Sequence, residues 1–160
     1  MNYKKKITIT QKDDLLDAIV YYPALDEIGW TRVKKNTAEF IKKDNVYYIT
    51  VADIAKYLIQ SKDKTGYPVD KIWEIYDSFD IKKLGEIETC PPCCNDCKSQ
   101  YYLRGGNKRS VAYAMRLIKD KIEFTPVQAS HISYFNRDDD NNLVDLPTTH
   151  DPLSSNHLSL

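Results

Sequence analysis

Apolar residues recur at helical spacing near the start of the chain and again after residue 50. In the first segment, leucine, isoleucine and valine follow Thr10 and Asp13, which have the spacing of a helix-capping box. Thr50 and Asp53 repeat that spacing ahead of a second apolar face. These patterns predict helices over about residues 11–21 and 51–60.

Two further apolar stripes and several β-like segments complete the pattern. One stripe follows Pro68, a residue that suits the first turn of a helix, and another runs through Val111 and Met115. Pro23 and Gly29 predict a loop. A short helix is predicted at residues 37–43, and strands are predicted at residues 45–50, 81–89, 100–104 and 121–129.

This mixture of helices and strands predicts a single α+β domain with a small mixed sheet flanked by helices. We expect residues 1–44 to form a helical N-terminal extension packed on the core, and residues 45–135 to form the core itself. Within the core, we expect residues 90–97 to form a cysteine-rich insertion at the tip of a hairpin. Residues 136–160 are polar and contain prolines, so we expect them to form a flexible tail.

Charge and hydropathy limit the choice of partners. The chain has 23 basic and 23 acidic residues, so its formal net charge is zero and no overall positive field attracts nucleic acid or membrane. No apolar run approaches the roughly 20 residues that span a bilayer, and the start lacks the apolar core of a signal peptide. We therefore expect a cytoplasmic protein with no membrane partner, whose anion binding comes from a local patch.

Residues 104–110, with the sequence RGGNKRS, join a predicted strand to a predicted helix. The two glycines allow a tight turn and a close approach of the backbone to a ligand. Free N–H groups at the start of the helix favour an anion, and three basic side chains add charge. A plain strand-to-helix turn with a solvated basic face is the alternative. The predicted phosphate contacts are Arg104, Gly105, Gly106, Asn107, Lys108, Arg109 and Ser110.

The segments GGNKRSVAYAMRL and EFTPVQASHIS resemble the end of the core of the ParB N-terminal and sulfiredoxin-like superfamily. Its members carry a loop of the form G-x-[HKR]-R-x-x-A between a strand and a helix. Gly106, Lys108, Arg109 and Ala112 fit that form. The resemblance covers about residues 45–135, with the motif itself in residues 103–129. It implies an α+β nucleotide-binding fold whose loop holds the phosphates of ATP, ADP or CTP with Mg²⁺.

The resemblance implies several activities, and departures from the family narrow them. Asn107 stands where sulfiredoxins have their catalytic cysteine, and no helix-turn-helix region follows the core. An NTP- or ADP-dependent phosphotransferase or hydrolase is the preferred function. A nuclease or DNA-binding protein, or a non-catalytic interaction module of a mobile element, is the alternative. Asp53 is the candidate catalytic carboxylate by the family's placement of acidic residues, and a helix cap is its other interpretation.

All four cysteines lie within eight residues, in the sequence CPPCCNDC. Thiolates so close together repel one another or oxidise unless a metal or disulfides neutralise them. The two C-x-x-C units abut without a spacer, which weakens the case for zinc, so zinc, disulfides, free thiols and another metal all stay open. The candidate Zn²⁺ ligands are Cys90, Cys93, Cys94 and Cys97. The cysteine hairpin and the C-terminal tail are also candidate contacts for a protein partner.

Overall fold

The computed structural model describes residues 2–20, 28–92, 98–137 and 143–145, and these residues form an α+β domain. The helices are α1 (Lys12–Leu16), α2 (Ile28–Ile41), α3 (Val51–Ser61), α4 (Val69–Asp77) and α5 (Asn107–Lys119), with short 3-10 helices at Val46–Tyr48 and Ile81–Lys83. The strands are β1 (Asn2–Ile9), β2 (Ile19–Val20), β3 (Ile87–Cys90), β4 (Tyr102–Gly105), β5 (Val127–Arg137) and β6 (Leu143–Asp145). The predicted fold class is therefore confirmed.

The strands form one mixed sheet in the order β1-β5-β3-β4-β2, and β6 pairs with β5. β5 lies between β1, which runs antiparallel to it, and β3, which runs parallel to it. β3 and β4 form the predicted antiparallel hairpin, and β2 pairs in parallel with β4. The sheet thus joins the start of the chain to residues beyond 126.

Apolar residues of the helices and of the strands share one hydrophobic core. In α3 the predicted capping box is present: the Thr50 hydroxyl accepts from the Asp53 amide at 3.2 Å, and the Asp53 carboxylate accepts from the Thr50 amide at 3.1 Å. The helices predicted after Pro68 and around Val111 are also confirmed as α4 and α5. In their predicted stripes, Ile72 and Met115 are completely buried in the core.

The predicted helix over residues 11–21 is wrong in length. α1 ends at Leu16, and its N-cap is Gln11 without a side-chain hydrogen bond, so the predicted box of Thr10 and Asp13 does not form. Residues 19 and 20 instead belong to β2, where the amide of Ile19 donates to the Tyr101 carbonyl at 3.0 Å. Residues 19 and 20 thus pair in the sheet, although their apolar spacing also suits a helix.

The loop predicted around Gly29 is partly helix. α2 starts at Ile28, and a Cβ on Gly29 would collide with the carbonyl oxygen of Tyr67. The glycine therefore permits close packing of α2 on the segment before α4, and it does not break the helix. Pro23 lies outside the described residues.

Three predicted strands also differ from the structure. Residues 46–48 form a 3-10 turn, and only Thr50 makes an isolated bridge, to Ile19. The strand predicted at 81–89 is confined to β3, after a 3-10 turn. The strand predicted at 121–129 begins at Val127 and continues to Arg137, so β5 and β6 both enter the segment predicted as a tail.

The N-terminal segment contains a strand that the hydropathy pattern did not predict. In β1, Ile9 is buried while the three lysines Lys4, Lys5 and Lys6 are exposed. Lysine is common on outer strands, where it discourages pairing with other chains. Residues 2–9 therefore contribute directly to the sheet.

Candidate functional site

The predicted phosphate loop lies between the end of β4 and the start of α5. Gly106 is the N-cap of α5 and has a φ of 81°, a left-handed conformation that favours glycine. The first helical hydrogen bond runs from the Ser110 amide to the Gly106 carbonyl at 2.9 Å, and no side chain caps the helix. Amides of the first turn precede that bond, so the helix presents the N–H groups that an anion needs.

The two glycines also serve the packing of the loop on β3. A Cβ on Gly106 would lie 2.6 Å from Cγ2 of Ile87, which is too close for van der Waals contact. A Cβ on Gly105 would lie 3.3 Å from a carboxylate oxygen of Glu88. β3 side chains thus occupy the space beside both glycines, and they bring the Glu88 carboxylate next to the loop.

Arg109 binds the protein's own backbone. Its Nη1 donates to the Leu84 carbonyl, and its Nη2 lies 3.5 Å from the Glu86 carbonyl oxygen, at the limit of a hydrogen bond. Between these two residues, Gly85 has a φ of 72°. The guanidinium therefore fastens the start of α5 to the segment ahead of β3. It carries five N–H donors, so these contacts leave others that can face a ligand.

The remaining loop residues differ in their access to solvent. Lys108 is half-buried, and its Nζ donates to the Tyr67 hydroxyl at 2.9 Å and lies 5.1 Å from the centre of that ring. Arg104 and Asn107 are also half-buried. Ser110 is 1% exposed, and its Oγ has no hydrogen-bond partner among the described residues. The Ser110 hydroxyl therefore lies beneath the surface that a phosphate would contact.

A cleft of about 220 Å³ opens beside Arg109. Its apolar wall is formed by Ile75, Phe79 and Leu84, and its polar lining consists of Ser78, Asp80, Lys83 and Arg109. The two cations outnumber the one carboxylate, so this cleft suits a ligand that has both a flat or apolar part and an anionic part. The sequence did not predict this cleft because its residues come from α4, the following turn and α5.

Asp53 does not lie at the loop. Its Oδ2 accepts from Lys43 Nζ at 3.1 Å and from the Thr50 amide, which supports the helix-cap interpretation. Asp53 shares a cavity with Ile19, whose strand partner is Tyr102 at the start of β4. The loop follows the other end of β4, three residues and about 10 Å farther along the strand. The structure therefore separates Asp53 from the predicted phosphate contacts.

The cavity beside Asp53 is polar and has a volume of about 390 Å³. Its lining residues are Asp17, Ile19, Lys43, Tyr48, Thr50, Asp53, Lys98 and Ser99. Burial, followed by the negative charge of Asp13, raises the pKa of Asp17, and the positive charge of Lys98 opposes that rise. These residues come from four separate segments without a shared motif, so no spacing in the sequence could have indicated the cavity.

The cysteine cluster is only partly within the described residues. Cys90 ends β3 and is buried, whereas Cys93, Cys94 and Cys97 lie outside them. Over the described ranges, no group of three or more histidine, cysteine or acidic side chains is arranged to hold a metal ion. The choice between zinc, disulfides, free thiols and another metal stays a prediction.

Comparisons with models of known protein families, with curated proteins and with solved structures found no match. Among the described helices, none combines the length and the apolar character that a membrane crossing requires. The loop, the cleft and the polar cavity are therefore the features from which a function can be inferred.

Proposed function

We propose that the protein is a nucleotide-binding, ParB-like protein that acts as an NTP- or ADP-dependent phosphotransferase or hydrolase. The observation that carries the proposal is the uncapped start of α5, which follows a left-handed glycine and stands beside the cleft that Lys83 and Arg109 line. This arrangement combines N–H donors, positive charge and an apolar wall within one region. ATP, ADP and CTP each present phosphates and a flat base that match these three features.

In this proposal, different residues of the loop contact the phosphates in different ways. The first-turn amides of α5 donate to phosphate oxygens, and the Lys108 ammonium supplies charge from the half-buried surface beside Tyr67. Arg109 orients the loop through the Leu84 carbonyl and offers its remaining N–H groups to the ligand. Mg²⁺ bound with the nucleotide would neutralise further phosphate charge in the transition state.

Glu88 is the carboxylate that we assign to the chemistry. It is exposed on β3, and its side chain packs across Gly105 at the beginning of the loop. A carboxylate in that position can accept a proton from an attacking hydroxyl or water, or can bind Mg²⁺. Asp53, the candidate from the sequence, lies near the other end of β4. Its carboxylate already accepts hydrogen bonds from the Thr50 amide and from Lys43.

A titration of the purified protein with ATP, ADP and CTP in the presence of Mg²⁺ tests the proposal. We expect Lys108→Ala to weaken binding at least about tenfold, since a charge-assisted contact contributes roughly 1.5–3 kcal/mol. Lys56→Ala, which removes an exposed lysine from α3, is the matched control and should bind as the wild type does. Glu88→Gln should keep binding and lose turnover. Absence of nucleotide binding, or equal affinity in Lys108→Ala, would contradict the proposal.

DNA binding is the second candidate, because the exposed lysines Lys4, Lys5 and Lys6 form a local positive strip on β1. Lys6 is partly neutralised by Glu86, at 3.6 Å. A short DNA duplex belongs in the same titration as a competitor. Salt-sensitive binding to DNA without nucleotide binding would favour a nuclease or DNA-binding function. Binding to neither would favour an interaction module.

A further inference from the structure

The polar cavity beside Asp53 is a second candidate site, at the opposite end of β4 from the loop. Its walls are joined by backbone hydrogen bonds: the amide of Val20 donates to the Ile49 carbonyl at 3.1 Å, and that of Val51 donates to the Ala18 carbonyl at 2.8 Å. The Ser99 hydroxyl donates to the Asp17 carbonyl. These bonds hold the segments around residues 17, 50 and 99 in fixed relative positions. The cavity is thus built into the fold.

Two of the four charges in the cavity already neutralise each other. Lys43 and Asp53 form an ion pair at 3.1 Å, with side chains that are 44% and 20% exposed. The same Asp53 oxygen also accepts from the Thr50 amide. These groups are satisfied within the protein, and they give the cavity a polar wall of no net charge.

The other two charges, on Asp17 and Lys98, do not pair directly. Lys98 is near enough for its charge to oppose the rise in the Asp17 pKa, yet the two side chains form no ion pair or hydrogen bond with each other in the described part of the chain. Ser99 holds the backbone of Asp17 next to the residue that follows Lys98. An acid and a base therefore face one cavity with space between them.

We propose that this cavity binds a small zwitterion of the amino-acid class, with its ammonium group on Asp17 and its carboxylate on Lys98. A ligand of this class supplies the two opposite charges that the cavity leaves apart, at a spacing of a few bonds. The volume of about 390 Å³ falls at the lower end of the range of roughly 300–1,000 Å³ that is typical of small-molecule sites. The wall formed by Lys43, Asp53 and Thr50 provides donors and acceptors for a polar side chain of the ligand.

Neither an anion nor a cation alone fits the same arrangement as well. An anion would meet Lys98 together with the Asp17 carboxylate, and a cation would meet Asp17 together with the Lys98 ammonium, so each would face a like charge. This proposal does not rest on the nucleotide site, because no residue of the loop lines the cavity.

The test is a calorimetric or NMR titration of the whole protein with the standard L-amino acids at millimolar concentration. We expect at least one of them to bind. Its N-acetyl derivative, which lacks the ammonium group, and its amide, which lacks the carboxylate, should each bind at least about tenfold more weakly. Binding of no amino acid, or a derivative that binds as tightly as the unmodified amino acid, would overturn the proposal.

Variants then assign each charge to its residue. Asp17→Asn should remove the discrimination against the N-acetyl derivative, and Lys98→Met should remove the discrimination against the amide. Both variants should fold, because asparagine has the shape of aspartate and Lys98 is exposed. Lys56→Met, on α3 outside the cavity, should leave both discriminations intact. Discrimination that survives in Asp17→Asn and Lys98→Met would place any amino-acid site elsewhere.

Discussion

Replacing Arg109 with alanine should weaken the fold, and this effect is separate from any loss of ligand. The guanidinium donates to the Leu84 carbonyl and approaches the Glu86 carbonyl at 3.5 Å. Leu84 is buried, so its carbonyl would lose a charged donor that a small side chain cannot replace. A hydrogen bond with one charged partner contributes about 1.5–3 kcal/mol, and a contact at 3.5 Å contributes little. We therefore expect Arg109→Ala to cost about 2 kcal/mol.

Equilibrium unfolding in urea measures this loss of free energy, and thermal unfolding measures it as a fall in Tm. For a chain of 160 residues, about 2 kcal/mol corresponds to a fall in Tm of roughly 4–8 °C. The matched control is Lys108→Ala, at the adjacent residue. Within the described part of the chain, the Lys108 ammonium contacts the exposed Tyr67 ring and hydroxyl, so its loss should cost less than about 1 kcal/mol. Equal stabilities of Arg109→Ala and the wild type would refute the structural role that we assign to the guanidinium.

The outcome also decides how a binding experiment is interpreted. If Arg109→Ala destabilises the start of α5, weaker nucleotide binding in that variant would partly reflect a displaced loop. Arg109→Lys keeps the positive charge but lacks the planar fork that reaches two carbonyls. Lys108→Ala is therefore the better variant for measuring a phosphate contact.

Three further predictions concern stability. Gly106→Ala should lower the free energy of unfolding by more than about 1 kcal/mol, since the left-handed φ of 81° and a Cβ contact of 2.6 Å both oppose alanine. Gly105→Ala, with a nearest contact of 3.3 Å, should lower it less. The reverse order in urea unfolding would contradict this prediction. Thr50→Ala should cost about 1 kcal/mol through loss of the α3 cap, and an unchanged Tm would contradict it. Burial raises the pKa of Asp63, but hydrogen bonds led by the Thr65 amide outweigh it and leave the pKa below its usual value of 3.8. Its stabilising effect is therefore present above that value and is lost as the pH falls through the folded pKa, so acid unfolding should be less steep in Asp63→Asn, and identical pH profiles would contradict this.

Local sequence patterns correctly predicted the helices whose apolar face and N-cap both lie within a short stretch of the chain. The capping box of Thr50 and Asp53 lies next to a clear apolar stripe, and α3 follows it within one residue of the predicted end. The same spacing at Thr10 and Asp13 gave a helix that is too long, because the amides of residues 19 and 20 find partners at Tyr101 and Ile49. Spacing along the chain contains no information about such distant partners.

The candidate sites divide in the same way. The glycine turn and the position of Lys108 in the first turn of a helix were predictable, because a strand, two glycines and a helix are contiguous in the sequence. The backbone contacts of Arg109 and the position of Glu88 were not, since both depend on how β3 lies beside the loop. Asp17 and Lys98 line one cavity although they are about 80 positions apart in the sequence, and only the tertiary structure reveals this.

The place of β5 in the sheet has a consequence for biosynthesis. Thr8 and Gln128 are paired although 120 residues separate them, and β3 also depends on β5 for its parallel partner. Pairings over such long separations slow folding, since closing the large loop costs entropy before any contact is gained. While the chain is still on the ribosome, β1 must wait for β5 to emerge. The helices α3, α4 and α5 can associate earlier, so completion of the sheet should be the slow, late step of folding in the cell.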